Sequence, residues 1–277
     1  MDHSRLSTFQ TCPERYRLHY VEGLRKITEG PLESPREFGR AIHAALAVYY
    51  RTGKEPEARA AFLKAYPAPL DPADLARTPE NGLLLLQDYW GQYRTVDAGW
   101  KVLAVEVHEQ VELGMAQLWE VKMDLVIENE QGVWGVDHKT TASTFREQYW
   151  RQFDPNGQIS GYTYYLTKKY GQCSGMIVNG IRMGFRKRAY QGEPAGFYAE
   201  FQRQIFNRTG RQLEDWKRNT QAATARLEAT TVWEKNEGAC VYCEYQELCR
   251  SVNDEQVRET LYERGDPLAY LKEDQTG

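Results

Sequence analysis

Asp124, Asp137 and Lys139 are the residues whose types and spacing best suit chemistry. Two carboxylates supply the hard oxygen ligands that Mg²⁺ or Mn²⁺ prefers. A lysine beside them can orient or polarise water, or stabilise charge developing on a phosphate. Asp-x-Lys near a strand end is common and, taken alone, reads as surface charge. The setting is what makes it stand out. Val133, Trp134 and Val136 form an apolar strand, and Val121, Met123, Leu125 and Val126 surround Asp124. A carboxylate buried in such a run must be paired, hydrogen-bonded or metal-bound. Strand alternation puts Asp137 and Lys139 on one side, about 6–7 Å apart along the strand.

A second set is the cysteines. Cys240, Cys243 and Cys249 form C-x2-C-x5-C near the end of the chain, and three thiolates cannot complete a tetrahedral site. Cys12, more than two hundred residues earlier, is the natural fourth. Cys173 falls outside the pattern and reads as a buried thiol. An odd count is a poor disulfide framework.

The elements that must position these residues follow from periodicity. Ser4–Tyr20 reads as one helix, through Leu6, Phe9, Tyr16 and Tyr20. Arg36–Tyr50, Pro56–Tyr66 and Pro79–Val96 read as three more, with the Pro/Asp stretch Pro67–Pro72 between the last two. The period then drops to two. Lys101–Val111, Leu118–Glu128 and Val133–Lys139 are expected as strands of an antiparallel meander, which brings Asp124 and Asp137 together. Gln158–Tyr170 returns to helical spacing. Ser174–Phe185 and Phe197–Gln204 read as strands, and Arg203–Ala229 as a long polar helix. This order fits an α/β fold, a mixed central sheet flanked by helices.

Composition narrows the classes further. With 27% charged and 12% aromatic residues the chain is globular and not disordered. No apolar run approaches the roughly 20 residues of a membrane span. The N-terminus lacks the apolar stretch of a signal peptide, so a cytoplasmic protein without a membrane partner is expected. A net charge of −4 argues against a wholly basic coat for nucleic acid. Arg182, Arg186, Lys187, Arg188, Arg203, Arg208 and Arg211 could make a local phosphate-holding stripe, although such a run is more often a solvated face. No Gly-x-x-x-x-Gly-Lys-(Ser/Thr) loop exists, so ATP-driven unwinding would need a partner.

Asp124 followed by Val136-Asp137-His138-Lys139-Thr140 resembles the RecB-type branch of the PD-(D/E)XK nucleases. Three further features match it in order. Gly39-Arg40-Ala41-Ile42-His43 resembles the family's upstream helix, Glu106 sits in the preceding strand, and Gln158-Ile159-Ser160-Gly161-Tyr162 matches a Gln-x-x-x-Tyr motif. Val121 stands where family members often carry glycine. The resemblance implies a restriction-endonuclease-like fold. In it His43, Asp124, Asp137 and the backbone carbonyl of His138 bind Mg²⁺ or Mn²⁺. Glu106 assists, and Lys139 acts on the attacking water. Gln158 and Tyr162 brace the site and contact DNA. His3, His19 and His108 have no comparable support, nor does the side chain of His138.

Cys12-Pro13-Glu14-Arg15-Tyr16 is similar to the N-terminal segment of RecB-like nucleases with an iron–sulfur cluster, such as AddB-type and CRISPR-associated ones. The resemblance implies a [4Fe–4S] cluster on Cys12, Cys240, Cys243 and Cys249, with structural Zn²⁺ as the rival. It implies three parts. Residues 1–35 join an iron–sulfur lobe, 36–204 form the nuclease core with a helical insertion at about 55–98, and 205–277 complete the cysteine-clasped lobe. The expected activity is metal-dependent hydrolysis of single-stranded DNA or DNA ends, with exonuclease action favoured. A helicase, recombination or CRISPR adaptation partner is compatible, as is a role in repair. The alternative is an iron–sulfur DNA-binding or assembly subunit with little nuclease activity of its own.

Overall fold

A computed structural model describes residues 1–27, 34–66, 71, 73–189 and 192–269. In chain order the elements are α1 (His3–Thr11), α2 (Pro13–Tyr16), β1 (Leu24–Lys26), α3 (Ser34–Thr52), α4 (Glu55–Ala65), α5 (Pro79–Tyr93), β2 (Lys101–Gly114), β3 (Gln117–Asn129) and β4 (Gly132–Thr141). They continue with α6 (Glu147–Arg151), α7 (Gly157–Tyr170), β5 (Gly175–Arg186), β6 (Gly196–Phe206), α8 (Gly210–Glu228), α9 (Gln246–Arg250), α10 (Asp254–Leu261) and β7 (Tyr262–Arg264). The fold is mixed α/β with a five-stranded sheet ordered β2-β3-β4-β5-β6. Two compact units emerge. Met1–Glu29, His108–Val121 and Arg211–Gly277 form the first, and Gly30–Val107 with Lys122–Gly210 form the second.

In the second unit β3 and β4 are antiparallel, β4 and β5 parallel, and β5 and β6 antiparallel. A parallel pair needs a crossover, and α7 supplies it by packing on β4 and β5. Asn156 starts α7 by accepting the N–H groups of Gln158 and Ile159, and Gly171, at φ +75°, ends it in the left-handed region. The other face is covered by helices. Phe38, Ile42 and Leu46, four residues apart on α3, share a core with Phe62 of α4, Leu85 and Tyr89 of α5, and Ile181 and Met183 of β5.

In the first unit α1 stops at Cys12, where the sequence predicts one helix to Tyr20. Pro13 cannot continue the α1 ladder, and Cys12 turns extended (φ −161°, ψ 110°). The Cys12 sulfur then caps α2 by accepting the Arg15 N–H. Leu18, Leu24, Tyr245, Leu248 and Tyr262 form one core cluster of this unit, Leu24 and Tyr262 coming from the two-stranded β1–β7 sheet. β2 passes to β3 through Met115 and Ala116, both at positive φ (+56° and +58°), as a two-residue hairpin turn requires.

The sequence starts the polar helix at Arg203, but Arg203–Phe206 belongs to β6 and the helix begins at Gly210. The Pro67–Pro72 stretch lies outside the described residues except for Asp71. Among the described residues no helix is long and apolar enough to cross a membrane.

Candidate active site

The β3–β4 register pairs Leu125 with Val136, and carrying it one residue further sets Asp124 across from Asp137. Regular pairing ends there, and the His138 N–H donates to Asp124 Oδ2 at 2.6 Å instead. The other Asp124 oxygen lies 3.2 Å from His43 Nδ1. His43 arrives on α3, which sits close against β4 because residue 39 is glycine. A Cβ there would stand 2.7 Å from Thr140 Oγ1. The Gly39–His43 spacing therefore has a packing reason.

Lys139 Nζ forms an ion pair with Asp137 Oδ2 at 2.7 Å and donates to Gln158 Oε1 at 3.2 Å. Gln158 Nε2 donates to the Tyr162 hydroxyl at 2.9 Å, and that hydroxyl donates to the Lys122 carbonyl. Gln158 and Tyr162, one helical turn apart, thus tie Lys139 to the strand that carries Asp124. Asp137 is buried, and its Oδ2 accepts from the Lys139 ammonium.

The charges in this cluster are set by opposing effects. Burial alone would raise the Asp124 carboxyl, but the charge and hydrogen bond of His43 outweigh it and hold it well below the usual range. Burial raises Asp137, and the Asp124 charge adds to this against the pull of Lys139. Desolvation works against the Lys139 ammonium, yet the two aspartates keep its pKa raised and the charge in place. Burial pushes the His138 ring down to about 3, so it is neutral. Glu106 is half-buried at φ +53°, and its charge acts on His43. Tyr149, which the sequence did not single out, is pushed up to about 12 by burial and then by the Asp137 charge.

A family model for the PD-(D/E)XK nuclease superfamily matches residues 2–250. The chain belongs to the PD-(D/E)XK nuclease superfamily. No curated protein matches it significantly. A crystal structure described as "Putative exonuclease" from Eubacterium rectale is 14% identical, with 91% of this chain and 88% of that one covered and a TM-score of 0.54. That likeness is one of fold. An alkaline exonuclease from Laribacter hongkongensis is 11% identical over 70% of this chain and 92% of its own, at a TM-score of 0.29.

In this PD-(D/E)XK protein His43, Asp124, Asp137, Lys139, Gln158 and Tyr162 gather where β3, β4, α3 and α7 meet, while Glu106 lies on β2. His138 contributes its main chain there, while its side chain turns away to Asn179. Asn179, fully buried, was not recognisable from the sequence. The expected basic stripe is largely tied into the fold. Arg182 pairs with Glu200, Arg186 with Glu193, Arg203 with Asp97 and Arg208 with Asp154, whereas Lys187 and Arg188 are exposed.

The four clasp cysteines of this superfamily member lie in the first unit. They line one cavity of about 280 Å³ together with Arg15, Lys235 and Tyr245. The Cys12 sulfur accepts two backbone N–H groups, from Arg15 and Asn236, each at 3.5 Å. None of the five cysteines is in a disulfide. The sequence predicts a convergent cysteine ligand set. As placed, no three His, Cys, Asp or Glu side chains among the described residues close on a metal-holding point, either here or around Asp124. Around Asp124 the reason is visible: His43 and Lys139 are paired directly with the two carboxylates.

Proposed function

We propose that this chain is a divalent-metal-dependent deoxyribonuclease, acting as an exonuclease on single-stranded DNA or duplex ends. One observation carries the reading. Asp137 is buried with the Lys139 ammonium on its Oδ2, and the ionised Asp124 stands across from it in the strand pair. Two carboxylates side by side in a buried site suit a divalent cation. His43, Asp124, Asp137 and the His138 carbonyl would hold Mg²⁺ or Mn²⁺, with Glu106 assisting. The ion supplies Lewis acidity toward the phosphate and a more acidic water.

The protein's own groups do the rest. The ammonium of Lys139, aimed by Gln158, positions the attacking water and offsets charge developing on the phosphate. Tyr162 holds Gln158 in place. The intact pair beside Lys139 favours an active nuclease over a purely DNA-binding subunit. The exonuclease mode and the DNA substrate rest on the family resemblance. A time course on end-labelled single- and double-stranded DNA with Mn²⁺ tests them. Release of labelled mononucleotide from the first time points is expected. A ladder of internal fragments would make the enzyme an endonuclease.

In the first unit Cys12, Cys240, Cys243 and Cys249 would bind a [4Fe–4S] cluster in a structural role. Their shared cavity, with two backbone N–H groups donating to the Cys12 sulfur, supports this. Anaerobically purified protein is expected to be brown, with visible absorbance lost in Cys240→Ser. Colourless protein with stoichiometric zinc would overturn it.

A further inference from the structure

His138, Asn179 and Arg203 stand in one row across three strands. The register pairs His138 of β4 with Asn179 of β5, and Asn179 with Arg203 of β6. Alternation puts this row on the face opposite Asp137 and Lys139. Tyr50 of α3, Tyr89 of α5 and Asp97, just beyond α5, close around it.

The direction of each hydrogen bond in the group is dictated by chemistry. Arginine only donates, so the 3.3 Å contact from Arg203 Nε must fall on the Asn179 oxygen. The NH₂ end of that amide then donates to the Tyr89 hydroxyl and to His138 Nδ1, both at 2.8 Å. Tyr89 accepts from Asn179 and from Arg203 Nη2 (3.0 Å), so its own hydrogen goes to the Tyr50 hydroxyl at 2.8 Å. Tyr50 donates in turn to Asp97 Oδ2 at 2.8 Å. Arg203 closes the circuit with a bidentate pair on Asp97.

His138 Nδ1 is therefore an acceptor, and a neutral imidazole accepting there carries its proton on Nε2. The same residue's N–H is the 2.6 Å donor to Asp124, and its ring packs edge-on against His43 at 5.9 Å. We infer that Arg203, Asp97 and Asn179, with the Tyr50 and Tyr89 hydroxyls, are a positioning network that holds His138 as its Nε2-protonated tautomer. In that state His138 fixes the main chain between Asp137 and Lys139 and the packing surface of His43. None of the network residues touches the reacting atoms. Stability alone is a weak reason for a buried ion pair, which hydrophobic residues often replace at no loss.

The kinetic part of the inference rests on the proposed nuclease reading; the tautomer part does not. ¹⁵N-histidine NMR of the metal-free full-length protein, with His138 assigned from a His138→Gln variant, reads the tautomer directly. Wild type is expected to show unprotonated Nδ1 and protonated Nε2. In Asn179→Asp the new carboxylate can only accept, so the ring proton moves to Nδ1. DNA turnover should then fall about 10- to 100-fold with KM little changed, and Mn²⁺ should bind more weakly in calorimetry. A wild-type His138 protonated on Nδ1 overturns the inference, and that result needs no variant to fold. So does an Asn179→Asp protein, folded by thermal melt, whose tautomer moves while Mn²⁺ affinity and turnover stay at wild-type values. Should wild type cleave no DNA, the nuclease reading fails, while tautomer and Mn²⁺ affinity still decide the network.

Discussion

Lys139→Ala is expected to lower the rate of DNA hydrolysis by about 10²–10³-fold, the usual effect of removing one preorganised charge-stabilising donor. The ammonium is ion-paired with Asp137 and aimed by Gln158, so little reorganisation is needed when charge builds on the phosphate. Its loss acts twice. The developing charge loses its partner, and Asp137, already raised by burial and by Asp124, loses the group that pulls it down. A larger share of Asp137 is then protonated and unable to bind a cation. Raising the pH should accordingly recover part of the variant's metal affinity but not its rate. Single-turnover assays at saturating Mn²⁺ separate the two effects. A rate within a few-fold of wild type would remove Lys139 from the chemistry.

Asp97→Ala should produce the largest loss of stability. The carboxylate and Arg203 have side-chain exposures of 8% and 12%. Breaking a buried pair by removing one member costs about 3–5 kcal/mol, because the remaining charge stays desolvated. Tyr50 also loses its acceptor. Denaturant unfolding measures the loss. The double variant Asp97→Ala/Arg203→Met should recover much of it, since no charge is left stranded. A single-variant loss below about 1 kcal/mol would mean that water reaches the guanidinium.

The order of helices and strands was legible because the apolar period changes from 3.6 to 2 at Lys101 and back at Gln158. The juxtaposition of Asp137 with Lys139, and of Gln158 with Tyr162, followed from strand alternation and from the helical turn. Other features depended on information that a linear pattern does not hold. Leu6, Phe9, Tyr16 and Tyr20 keep a helical rhythm across Pro13, which hid the break where Cys12 turns extended. Arg203 read as part of a basic stripe or a helix start, because its partner Asp97 lies over a hundred residues earlier. The row of His138, Asn179 and Arg203 exists only once β4, β5 and β6 are in register. Helix α6 is five residues long, too short to show a period.

The most direct test of the proposed metal binding by Asp124 and Asp137 compares degradation of linear DNA by wild type and Asp124→Asn across a Mn²⁺ titration, with EDTA as the zero point. The proposed function predicts that wild type degrades DNA only when the cation is present. Asp124→Asn, isosteric but without the charge, should stay inactive over the same range. Degradation by wild type in EDTA, or equal rates for the two proteins, would contradict it.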